Sequence, residues 1–150
     1  TNHNRIVIEG HNKRIIKLME NMANDTETNR HSQYPCNFKF HEFVDEEVGI
    51  SCHIIRMEDS LYLWVGDAKH SAMNNLAFAL RSNYESVPIA TKIMGAVADE
   101  TSTNIAKRLT KKLGKPVYVS FNLQADRMLL PQIEKRIHQE FKTNEELTIF

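Results

Sequence analysis

Two short segments, LYLWV at 61–65 and VYVSF at 117–121, limit what this chain can fold into. Side chains alternate along a strand, so Leu61, Leu63 and Val65 point one way and Tyr62 and Trp64 the other. In the second segment Val117, Val119 and Phe121 alternate with Tyr118, Ser120 and Asn122. Both strands therefore carry large apolar or aromatic groups on each face. A sheet built on them needs cover on both sides, and the chain must supply or recruit two layers.

One layer is legible. In DETSTNIAKRLTKKLGKP, Asp99 and Glu100 suit the positive end of a helix, and Thr101, Ser102 or Thr103 can cap it. Ile105, Ala106, Leu109 and Leu113 fall within about a quarter-turn at 100° per residue. Lys107, Arg108, Lys111 and Lys112 occupy the remaining face. Gly114 is a C-cap and Pro116 forbids continuation. A last helix carries Leu130, Ile133, Ile137 and Phe141 on one stripe, with Pro131 tolerated in its first turn.

The remaining pattern is strand-like. Phe38 and Phe40 alternate with polar neighbours, as do Ile50, Cys52 and Ile54 with Ser51 and His53. These predict a hairpin around Glu46 and Glu47. Leu76, Phe78 and Leu80 alternate with Ala77 and Ala79, and 87–91 reads as a short strand with Pro88 near its start. The expected fold is α+β: a single, mostly antiparallel sheet with two amphipathic helices on one face, the other face used for dimerisation. The predicted layout is an arm and linker at 1–35, helical or disordered, then a domain at 36–142 and a tail at 143–150. The second face, with Tyr62, Trp64 and Tyr118, can be covered by the arm, by a long loop or by another protein. An aromatic face of this kind favours the last.

Composition and motifs narrow the chemistry. Lys+Arg and Asp+Glu are balanced at 19 each, so no global basic field favours nucleic acid. No apolar run approaches the roughly 18 residues of a membrane span, and membrane binding is not expected. The chain's five glycines form neither GxGxxG nor GxxxxGK, and DETSTN contains none to cradle a phosphate. No GxSxG elbow is present, no catalytic residue is assigned, and no cofactor is expected. Cys36 and Cys52 sit at mismatched heights along the predicted hairpin, which argues against a disulfide and for a reducing compartment. A zinc site joining them to His41 and His53 has no CxxC support, and adjacent Cys52 and His53 face opposite ways on a strand. The lysine face solvates its helix, with contact to an acidic protein partner as the functional alternative.

The segments MEDSLYLWVG (57–66), NLAFAL (75–80), YESVPIATKIMG (84–95), TSTNIAKRL (101–109), VYVSFNLQ (117–124) and EKRIHQEF (134–141) occur in an order and spacing that resembles the proteasome assembly chaperone 4 family. The resemblance runs from Phe38 to Phe141 and leaves Thr1–Pro35 without a counterpart. It implies a non-catalytic chaperone of 20S proteasome assembly. Such a chaperone pairs with proteasome assembly chaperone 3 through its sheet and helps α-subunits form the α-ring, in the cytoplasm and also the nucleus. Tyr62, Trp64 and Tyr118 are then candidate partner-interface residues. Lys107, Arg108, Lys111 and Lys112 are candidate α-subunit contacts. A small adaptor that homodimerises through the same face is the alternative.

Overall fold

The computed structural model describes residues 38–150; the expected arm and Cys36 lie outside the described residues. The elements are β1 (Lys39–Asp45), β2 (Ile50–Arg56), β3 (Leu61–Asp67), β4 (Leu76–Leu80), β5 (Ile89–Met94), α1 (Thr101–Leu113), β6 (Val117–Phe121) and α2 (Leu129–Thr143), followed by a 3-10 turn at Glu145–Leu147. The strands form one six-stranded sheet in the order β1-β2-β3-β6-β4-β5. The predicted hairpin forms with Phe43 opposite Cys52, and Gly49 closes it in the left-handed region at φ 75°. The β5 strand starts at Ile89, immediately after Pro88, so the proline stays out of the ladder.

The sheet is mixed, which corrects the mostly antiparallel expectation. β3 pairs with β6 in parallel, Leu61 opposite Val117 and Leu63 opposite Val119. β6 then runs antiparallel to β4. The cause is topological: β4, β5 and α1 intervene before the chain returns between β3 and β4. Parallel neighbours require such a long crossover. The two doubly apolar strands thus become direct neighbours at the centre of the sheet.

One face carries the core. Ile54, Leu63, Val65, Val117, Val119 and Phe121 pack with Ile105, Ala106 and Leu109 of α1 and with Ile133, Ile137 and Phe141 of α2. The apolar stripes predicted for both helices are the buried stripes. Gly114 ends α1 at φ 70°, donating its N–H to the Thr110 carbonyl. The start of α1 differs from expectation. Asp99 Oδ1 accepts the Thr101 N–H at 3.0 Å, while Ser102 Oγ accepts the Phe121 N–H at 3.1 Å. Thr103 Oγ1 is buried and has no hydrogen-bond partner among the described residues. The hydroxyls face the sheet, so Ser102 ties the helix to β6 instead of capping it.

A polar cluster fastens α2 to the β1 edge. Arg136 donates to Asp45 Oδ2 at 3.0 Å and to Glu140 Oε2 at 2.6 Å, and its guanidinium lies 4.4 Å from the centre of the Phe43 ring. His41 Nε2 meets Glu140 Oε1 at 2.6 Å. Burial pulls the Glu140 pKa up, but its bonds to Arg136 and His41 prevail and hold it below the ordinary 4.5. The ionised carboxylate is therefore the form that the fold binds.

Two outcomes follow from this packing. Leu63 is fully buried, so Leu63→Ala should lower stability by about 2–5 kcal/mol in denaturant melts. The contribution of ionised Glu140 should be complete above its unfolded value of 4.5 and disappear as pH falls through the lower folded value. Melts of wild type and Glu140→Gln across that window should show a smaller acid-side loss in the variant.

Candidate protein-binding faces

The face opposite the helices is built from the alternate residues of the same strands. Register places Phe40 opposite Ile55, Ile55 opposite Tyr62, Tyr62 opposite Tyr118, and Tyr118 opposite Phe78. This row crosses five strands, and all five side chains are half-buried. Phe78 and Tyr118 have ring centroids 4.5 Å apart. Burial pushes the Tyr62 phenol pKa up, with a hydrogen bond to Ser120 acting against it. The row meets Thr91 on β5, and exposed apolar residues flank it on the same face. Leu80 is 38% exposed and its β5 neighbour Ile89 is 51% exposed. Val44 is also exposed and sits on this face, opposite Ser51.

Trp64 shares the face but lies beneath its surface. It is 9% exposed and donates its indole N–H to the Ala72 carbonyl at 2.9 Å. Its ring packs edge-on to His53 and fills the space over Gly66, where an added Cβ would come within 2.4 Å of ring carbons. The segment between β3 and β4 thus folds back on Trp64. Asn122 fixes the end of that segment. Its Oδ1 accepts from the Asn74 and Asn75 N–H groups at 2.7 and 3.2 Å, and its Nδ2 donates to the Val65 and Ser120 carbonyls at 3.3 and 3.2 Å. Asn75 returns a bond to the Phe121 carbonyl at 3.1 Å. Of the three aromatic residues singled out in the sequence, Tyr62 and Tyr118 are thus part of the half-buried row and Trp64 supports it.

The candidate contacts on α1 also separate. Arg108 Nε donates to Glu134 of α2 at 3.1 Å. Lys107 is half-buried, and Lys111 and Lys112 are exposed. The sequence reading missed Phe40, Ile55, Phe78 and Asn122. Parity within each strand was visible, but the face shared by separate strands depends on their register.

Other chemistry on the described residues is sparse. No group of three or more His, Cys, Asp or Glu side chains among them is placed to hold a metal ion. No helix among them is long and apolar enough to cross a membrane. Cys52 is buried, and desolvation pushes its thiol up to about 12, against the pull of Arg136.

Residues 38–150 thus form a single-sheet α+β fold, with α1 and α2 over one face and a row of large, mostly aromatic side chains on the other. The same fold occurs in a chain of the crystal structure of a novel chaperone complex for yeast 20S proteasome assembly. The TM-score is 0.56 at 14% identity, covering 75% of this chain and 98% of that one. A family model described as proteasome assembly chaperone 4 matches residues 49–123, from the first hairpin through β6 and beyond. The human proteasome assembly chaperone 4 (Homo sapiens) is 44% identical over 91 residues, 60% of this chain and 72% of the relative. The mouse protein of the same name (Mus musculus) is 42% identical over 92 residues, 61% of this chain and 73% of the relative. The chain belongs to the proteasome assembly chaperone 4 family.

Asn122→Ala should release the β3–β4 segment without removing core volume. The expected signature is faster hydrogen exchange at 68–75 and a red shift in emission from Trp64, the chain's single tryptophan. Unchanged exchange and emission would show that the Trp64–Ala72 and Asn75–Phe121 contacts hold the segment without Asn122.

Proposed function

We propose that this chain is one half of a heterodimeric, non-catalytic chaperone that promotes α-ring formation in 20S proteasome assembly. Its partner is proteasome assembly chaperone 3, received on the sheet face opposite α1 and α2. One observation carries the reading: the half-buried row of Phe40, Ile55, Tyr62, Tyr118 and Phe78 is flanked on the same face by exposed Leu80 and Ile89. A continuous apolar surface on a regular sheet suits a second sheet packed against it. Covering it at about 25 cal/mol per Å² would contribute several kcal/mol before the costs of association. The titratable clusters on the helix side support the non-catalytic part of the proposal. Arg136, Glu140, His41 and Asp45 bond to one another and join α2 to β1. Action in the cytoplasm and nucleus belongs to the same proposal.

Light scattering on the chain alone, on chaperone 3 alone and on their mixture tests the pairing. A one-to-one complex is expected. A chain that stays a homodimer in the mixture would favour the adaptor alternative. Leu80→Glu with Ile89→Glu places charge at exposed positions and should weaken pairing by tenfold or more while the melting temperature holds, since interface centres can cost about 2 kcal/mol or more per residue. Undiminished pairing in this double variant would place the partner elsewhere.

A further inference from the structure

At the far end of the helix layer, the last turns of α1 and α2 and the C-terminal turn enclose an open groove of about 440 Å³. Its apolar lining includes Leu113 and Phe141, with Ile149 64% exposed at its edge. Its cations are Lys112 and Lys142, and Lys111 is exposed in the same turn of α1. Glu145 is the single acid among the lining residues. The neighbouring cations are committed elsewhere, Arg108 to Glu134 and Lys115 to Asp59. Lys111, Lys112 and Lys142 have no ion pair among the described residues.

The same lysines act on a neighbouring histidine. His138 stands one turn before Lys142 on α2. Burial first, then Lys112 with Lys142 and Arg108, holds its pKa below the ordinary 6.5 against the opposing pull of Glu134. Three cations thus stand within electrostatic reach of this seam against the carboxylate of Glu134, although the chain's formal net charge is zero. Lysines in a last turn also complement the helix dipole. That role needs no apolar groove between them and no third lysine from another helix.

We infer that this groove receives an acidic segment carrying one bulky apolar side chain, contributed by the α-subunit that the chaperone pair holds. The inference rests on the proposed function and locates the second binding surface on the helix layer, away from the partner face. The apolar side chain of the segment meets Leu113 and Ile149 over the buried edge of Phe141, while its carboxylates meet Lys112 and Lys142. Charge complementarity of this type speeds encounter and makes binding depend on salt.

The test uses the full chain in complex with chaperone 3, titrated with purified α-subunits one at a time at low and high salt. Lys112→Glu with Lys142→Glu should lower the affinity for the bound α-subunit by about tenfold or more at low salt, and leave pairing with chaperone 3 unchanged. Lys112→Arg with Lys142→Arg should retain most of the affinity. In the wild-type complex, α-subunit binding should slow hydrogen exchange in the last turns of both helices and weaken as salt rises. Equal affinity of the Glu double variant, or salt-independent wild-type binding, would overturn the groove assignment while the pairing proposal stands. A wild-type pair that captures no α-subunit would overturn the groove assignment and the proposed α-ring role together, with pairing intact.

Discussion

The parallel pairing of β3 with β6 is the constraint on which the rest of the structure depends. It sets two strands with apolar side chains on both faces directly beside one another. Leu61, Leu63, Val65, Val117, Val119 and Phe121 then form a continuous patch that α1 and α2 must roof. The same pairing aligns Tyr62 with Tyr118 on the reverse side. A core on one face and an aromatic row on the other are therefore consequences of one register. A slip of one residue would exchange the two sets.

Polar contacts divide the remaining work. On the helix side, Arg136, Glu140, His41 and Asp45 hold α2 to an edge strand, and Thr110 donates to the Ala79 carbonyl at 3.2 Å within the core. On the other side, Asn122 and Trp64 pin the β3–β4 segment. Buried polar groups of this kind stabilise one arrangement because leaving them unpaired is costly.

Much of this was legible in the sequence because the signals were local. Strand parity in LYLWV, the stripe of Ile133, Ile137 and Phe141, and the stop at Gly114 all depend on neighbours a few residues away. The parallel neighbour of β3 was not legible, since it arrives only after β4, β5 and α1. Nor were the roles of Ser102 and Arg108. A hydroxyl at a helix start reads as a cap until the Phe121 N–H is brought to it. An exposed arginine reads as free until Glu134 of the next helix lies beside it. The half-buried row escaped for the same reason: Phe40, Ile55 and Phe78 share a face with Tyr62 and Tyr118 only through register.

The central claim is that the sheet face opposite α1 and α2 meets the partner sheet. A hydrogen-exchange and side-chain footprinting comparison of the chain alone and in complex with chaperone 3 tests it most directly. The account predicts protection of Tyr62, Phe78, Leu80, Ile89 and Tyr118, with the exposed surfaces of α1 and α2 unchanged. Protection confined to those helix surfaces, with the aromatic row still reactive, would contradict it.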